Sequence, residues 1–280
     1  MSVQAKRRAD YQPPAFSIAT VDLHITLHPT ETKVVSTLAI ARNGAHNAPL
    51  VLDGDGLELN AIAVNGEALS EEFYTLGDNT LSINSELDTF ELVITTTIAP
   101  EHNKALEGLY LSGGAYCTQC EAEGFRRITY FYDRPDVLSV YTVRIEADLI
   151  EAHYLLSNGN KVSSGPIESD SNPDASGRHF AVWEDPFRKP CYLFALVAGT
   201  FDVFSDSFTT MSGRTIPLDI YVDTGDAPRA AYAMDALKRS MKWDEQAYGR
   251  EYDLDRFMVV AVRDFNFGAM ENKGLNIFNS

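Results

Sequence analysis

Glu271 sits in the run Gly268-Ala269-Met270-Glu271-Asn272, with Gly274 two residues beyond it. The preceding apolar run, Phe257-Met258-Val259-Val260-Ala261-Val262, has the length and β-branched content of a strand buried on both faces. A strand end is a rigid mount, and glycine admits positive φ or the close approach of a second backbone. A carboxylate there could hold a cation while exposed main chain beside it accepts an extended peptide as a further strand.

Other candidates are judged by spacing. Gln119 and Glu121 are two residues apart, so on an extended segment they point to the same side. Taken singly, a glutamate is most often a solvated surface group. Cys117 and Cys120 form a Cys-x-x-Cys, but a structural zinc ribbon needs a second pair and Cys191 is the only other cysteine. A thioredoxin-like site needs the motif to open a helix within a βαβ unit, whereas Ser112-Gly113-Gly114 precedes it. Reduced, partly buried thiols shaping the loop from Gln119 to Glu121 are therefore expected. His24 and His28 lie on an alternating segment, where four residues span about 13 Å, too far for one metal ion. His46, His102, His153 and His179 show no ligand spacing, so no metal is assigned within the chain. Gly113-Gly114 and Gly54-Asp55-Gly56 read as turns and not as phosphate loops.

The elements that must position these groups are mostly strands. Val21 to His28 alternates strictly between apolar and polar, the pattern of a half-buried strand. Further strands are expected at Val34 to Ala41, Leu57 to Val64, Thr80 to Ile83 and Phe90 to Ile98, with turns at Asn65-Gly66 and Gly77-Asp78-Asn79. Short strands at this spacing imply an antiparallel β domain. Ser139 to Leu149 and His153 to Leu156 follow, and Asn158-Gly159 is expected to make a hairpin turn to Lys161-Val162-Ser163. Ser169 to Gly177 reads as an exposed loop. Strands resume at His179 to Trp183 and Tyr192 to Ala198, and the domain boundary falls near Gly199. Phe201 to Thr210 and Ile216 to Val222 form a hairpin around Ser212-Gly213. A helix then runs from an Asp226 N-cap, with Pro228 in its first turn, to Gly249; Ala230, Met234, Leu237, Met241 and Tyr248 recur along it.

Composition bounds the function. With 23 basic and 40 acidic residues the chain carries a net charge of −17, which argues against a nucleic-acid partner. The charge serves solubility, or an acidic cavity that attracts amines. No stretch reaches the ~20 apolar residues of a membrane span, and Lys6, Arg7 and Arg8 lead into Asp10-Tyr11-Gln12-Pro13-Pro14 without a signal-like core. The cytoplasm is the expected compartment, and residues 1 to about 12 are expected to be a loose arm. Three cysteines give no disulfide framework.

The motif around Glu271, read with Asn276-Ile277-Phe278-Asn279, resembles the exopeptidase motif of the zinc-dependent M1 aminopeptidases. Cys117-Thr118-Gln119-Cys120-Glu121-Ala122-Glu123-Gly124-Phe125 and Trp183-Glu184-Asp185-Pro186-Phe187, with Pro190 to Gly199, extend the resemblance to the bacterial aminopeptidase N branch and over nearly the whole chain. It implies a mainly β architecture: an N-terminal antiparallel β domain (1–199), then the start of a thermolysin-like α/β catalytic domain (200–280), truncated before its zinc-binding helix. It implies peptide substrates with a free N-terminus, whose α-amino group, with a pKa of about 7.7 to 8.0, is mostly protonated at pH 7. Glu271 and Glu121 would converge on that ammonium, Gln119 would line the first side-chain pocket, and Ala269 would offer main-chain contacts. Gly268, Met270 and Asn272 complete the substrate-binding motif, and Phe267 would be pocket wall or core. The family's His-Glu-x-x-His helix and later glutamate are not found before Ser280. Zinc is therefore expected in the complete enzyme, a monomer, and not on ligands of this chain, which alone is expected to be inactive.

Two rivals remain. One is a non-catalytic β-sandwich that binds peptides or a partner protein, for which Tyr130-Phe131-Tyr132 is a candidate aromatic surface. The other is a thiol redox protein built on Cys117 and Cys120.

Overall fold

A computed structural model describes residues 7–168 and 177–280. Residues 1–6 of the expected arm and 169–176 of the expected loop lie outside the described residues. The strands are, in chain order, β1 (Phe16–Thr26), β2 (Thr32–Arg42), β3 (Leu50–Asp53), β4 (Glu58–Val64), β5 (Glu67–Ala68), β6 (Tyr74–Leu76), β7 (Thr80–Ile83), β8 (Thr89–Ile98), β9 (Gly108–Ser112), β10 (Ala115–Gln119), β11 (Ser139–Asp148), β12 (Tyr154–Ser157), β13 (Asn160–Pro166), β14 (Arg178–Lys189), β15 (Leu196–Gly199), β16 (Asp202–Thr209), β17 (Thr215–Val222), β18 (Phe257–Val262), β19 (Ala269–Met270) and β20 (Leu275–Asn279). One long helix, α1 (Ala231–Tyr248), interrupts them. The architecture is mainly β.

An eight-stranded sheet runs β13-β14-β11-β1-β2-β8-β4-β5, a three-stranded sheet β3-β7-β6, and a four-stranded sheet β12-β15-β10-β9. The alternation seen from Val21 onward does place Val21, Leu23 and Ile25 in the core. Within the expected antiparallel β domain one pair is parallel, β1 with β11. Arg144 on β11 bonds Glu146 at 2.7 Å, and His24 on β1 reaches the same carboxylate at 2.8 Å. The His24 hydrogen bond, helped by Arg144 and opposed by burial, holds Glu146 down to about 2.

Between the sheets lies an aromatic core in which Phe125 meets Phe131 and Phe194 edge-on, with centroids 4.9 and 5.2 Å apart. Tyr130 and Phe131 belong to it, so they offer no aromatic docking surface. At its border the buried Lys189 ammonium lies 3.1 Å from Asp185 and 3.7 Å from the Tyr141 ring centroid. The two charges attract without hydrogen-bond geometry. Burial pulls Lys189 down to about 8 against the pull of Asp185.

The expected turn at Asn158-Gly159 is not a hairpin. The strand before it, β12, pairs with β15 in the four-stranded sheet, whereas β13 after it pairs with β14 in the eight-stranded one. Local turn chemistry is the same in both cases, so the sequence signal is ambiguous; tertiary pairing decides. Similarly, the strand expected from Tyr192 begins only at Leu196, after a 3-10 turn at Cys191–Leu193.

A five-stranded sheet, β16-β17-β18-β20-β19, starts at Asp202. Its β16 and β17 are the expected antiparallel hairpin, and β18 joins β17 in parallel across α1. Asp226 and Pro228 open a 3-10 turn, Ala227–Ala230, that runs into α1, and Gly249 ends the helix in the left-handed conformation. Met234 and Met241 are buried, but Tyr248 is exposed and stacks edge-on against Trp243. β18 is not fully buried on both faces: Met258, Val260 and Val262 enter the main core, while Phe257, Val259 and Ala261 are half-buried toward α1. The helix stands off that face, leaving a cavity of about 620 Å³ lined by Val222, Leu237, Met241, Val259 and Phe278 among others.

Candidate functional site

β19 is the outermost strand of its sheet, so one of its main-chain edges is unpaired among the described residues. On the inner side Ala269 pairs with Phe278 and Met270 with Ile277, and Asn279 N–H donates to Gly268 O at 3.0 Å. Met270 is buried and anchors the strand, while Gly268 and Ala269 are exposed. A side chain at Gly268 would meet nothing within 4 Å. Phe267, for which pocket wall and core were both open, is 51% exposed.

Glu271 follows β19 directly and is exposed. Asn272 turns inward and is buried, its side-chain amide without a hydrogen-bond partner among the described residues. Its carbonyl accepts from Leu275 N–H at 3.1 Å and Asn276 Nδ2 at 2.8 Å, closing a turn into β20. Gly274 occupies that turn with φ +75, which favours glycine, and a Cβ there would also lie 2.8 Å from Leu254 Cδ1, which would have to move aside. Lys273 is drawn aside: its ammonium lies 2.7 Å from both Asp253 oxygens and 4.3 Å from the Phe187 ring centroid.

The loop expected from Gln119 to Glu121 begins where β10 ends, at Gln119, and turns at Glu121. Gly113-Gly114 turns β9 into β10, and Cys117 and Gln119 are strand residues paired with Tyr110 and Gly108. Gln119 is buried; its Nε2 donates to Glu121 O at 3.3 Å, and its Oε1 has no partner among the described residues. Glu121 is exposed, and the Glu121–Ala122 peptide is cis. The carboxylates of Glu121 and Glu271 form no ion pair among the described residues. β9 and the loop before it join the two segments. Tyr110 Oη donates to Asp264 O at 2.9 Å, Asp264 N–H to Ser112 Oγ at 2.8 Å, and Asn266 Nδ2 to the carbonyls of Ala105 and Leu106 at 3.1 and 3.2 Å. These bridging residues were invisible in the sequence, since nothing local marks which loop a serine or asparagine will face.

All three thiols are fully buried, not partly so. Burial pushes Cys117 up to about 12 and Cys120 and Cys191 well above the usual thiol range. Cys191 donates to Asp133 Oδ1 at 3.0 Å. Because the thiolate is the reactive species, native protein is expected to resist an aromatic disulfide reagent while urea-unfolded protein titrates 3 thiols. Rapid native labelling of Cys117 or Cys120 would revive the redox reading.

No group of three or more His, Cys, Asp or Glu among the described residues is placed to hold a metal ion. His24 is taken up by Glu146, and His46 and His179 bond backbone carbonyls. No helix among the described residues is long and apolar enough to cross a membrane.

These features can be set beside known proteins. Residues 12–193 match the Peptidase M1 N-terminal domain and residues 232–280 the Peptidase family M1 domain. The chain belongs to peptidase family M1. Aminopeptidase N of Caulobacter vibrioides is 60% identical over 277 residues, covering 99% of this chain and 31% of its own length. Aminopeptidase N of Escherichia coli is 53% identical over 280 residues, again 99% of this chain and 31% of its own length. The crystal structure of Legionella pneumophila aminopeptidase A in complex with aspartic acid superposes with a TM-score of 0.91 at 33% identity, over 98% of this chain and 32% of that one. The M1 chain described here thus spans less than a third of the length of these curated relatives.

Proposed function

We propose that this chain supplies the substrate N-terminus recognition of a zinc-dependent aminopeptidase that removes N-terminal residues from peptides. The observation that carries the reading is the exposed carboxylate of Glu271, in no ion pair among the described residues, immediately beyond β19, the outermost strand of its sheet among the described residues. An extended peptide laid along Ala269 would present its terminal ammonium to Glu271, with Glu121 as the second carboxylate and Gln119 facing the first side chain. Gly268 leaves room for the peptide backbone, while Met270 and Asn272 fix the strand from the buried side. The division of labour is a β domain over 1–199 and the opening of a catalytic domain over 200–280.

The zinc that the family resemblance implies finds no ligand set among the described residues. Residues 1–280 alone are proposed to lack peptidase activity. The complete enzyme is proposed to be a cytoplasmic monomer acting on peptides, not on nucleic acid or membranes.

The deciding experiment compares, on the full-length protein, a peptide with a free N-terminus and its N-acetylated counterpart. The free peptide should be cleaved from its N-terminus, and the acetylated one neither cleaved nor competitive. Equal binding of both would favour a peptide-binding module indifferent to the terminus.

A further inference from the structure

We infer that Asn158 is a positioning residue for Glu271, acting through the main chain of Lys273. This rests on the reading of Glu271 as the ammonium receptor. Asn158 is 1% exposed. Its Oδ1 accepts from Ala195 N–H at 2.7 Å, and its Nδ2 donates to Leu193 O at 3.0 Å and to Lys273 O at 2.8 Å. The amide is thus pinned at two points just ahead of β15, and its remaining N–H is aimed across the seam between sheets at the carbonyl two residues after Glu271.

The neighbours of Asn158 serve the same seam. Asn160 Oδ1 accepts from Asp255 N–H at 2.8 Å, and Gly159 N lies 3.4 Å from where a Cβ of Gly274 would be. Residues 158–160 therefore seat both the loop before β18 and the turn after Glu271. On its other side Glu271 is held by the β19 ladder. The short span from Met270 to Lys273 is consequently fixed at both ends, and shifting it would strand buried donors and acceptors. A charged receptor works only if its carboxylate is already in place when substrate arrives.

The test uses the full-length enzyme. Asn158→Asp keeps the shape and the bond from Ala195 but turns a carboxylate oxygen toward two carbonyls. KM for an aminoacyl substrate should rise about tenfold with a smaller change in kcat, and the rise should vanish when Asn158→Asp is added to Glu271→Gln. Amide exchange at Leu275, whose N–H closes the turn onto Asn272 O, should accelerate. A merely structural role predicts the same factor in KM with or without Glu271, which would overturn the proposal; a lower unfolding midpoint is expected on either account, since a buried carboxylate would face two carbonyls. Unchanged exchange at Leu275 would overturn the tether itself. Unchanged KM in Glu271→Gln alone, with faster exchange in Asn158→Asp, would leave the tether standing and sink the reading of Glu271. Asn158→Ser, which adds no charge, provides the same comparison should the aspartate fail to fold.

Discussion

Glu271→Gln in the full-length enzyme is expected to lower kcat/KM on free N-terminal substrates about 100-fold, the order found when one partner of a buried, hydrogen-bonded charge pair is truncated, which is what Glu271 and the ammonium become once the peptide covers them. Glutamine keeps the shape of the side chain but replaces one acceptor oxygen with a donor NH2, so the loss reports the charge together with one acceptor of the ammonium. Lys273, the cation nearest in sequence, is already committed to Asp253 and the Phe187 ring. The Glu271 charge is therefore left for an external ammonium. Because Glu271 is exposed and makes no ion pair among the described residues, its unfolding midpoint should not move. Zinc content of the full-length enzyme should likewise stay constant. Steady-state kinetics with metal analysis checks both; loss of zinc would place Glu271 in the metal site and remove it from substrate recognition.

What could be read from the chain depended on whether the information was local. The segment before Glu271 was legible because its apolar residues are contiguous, and α1 because its spacing and Gly249 mark it; the Asp226 cap expected at its start instead precedes a 3-10 turn and its side chain caps no helix N–H, α1 itself beginning at Ala231. β10 was harder. Every residue from Ala115 to Gln119 is buried, so no alternation of apolar and polar residues announces a strand there, and none was expected. The parallel pairing of β1 with β11 joins residues about 120 positions apart, which no window of sequence contains. Asn158-Gly159 shows the same limit most clearly, since a strong local turn signal was put to use as a crossing between two sheets.

That crossing yields the second large effect, Gly159→Ala. Gly159 has φ +87, and a Cβ built on it would overlap Glu184 O, lying also 2.5 Å from Glu184 C and 2.6 Å from Asp185 Cα. Every one of these atoms is backbone of β14, a strand laddered on both sides to β11 and β13, so no side chain can swing away. The left-handed conformation costs an alanine roughly 1–2 kcal/mol and forced overpacking typically adds 1–3 kcal/mol. The sum, about 3 kcal/mol, is a large share of the stability of an ordinary domain. Gly66→Ala isolates the first contribution, because Gly66 has φ +83 but nothing within 4 Å of its Cβ position. Urea unfolding of both variants should therefore give a markedly larger fall in midpoint for Gly159→Ala. Equal falls would mean that β14 yields to a methyl group at no cost, and a seam that soft could not hold Asn158 on the carbonyl of Lys273.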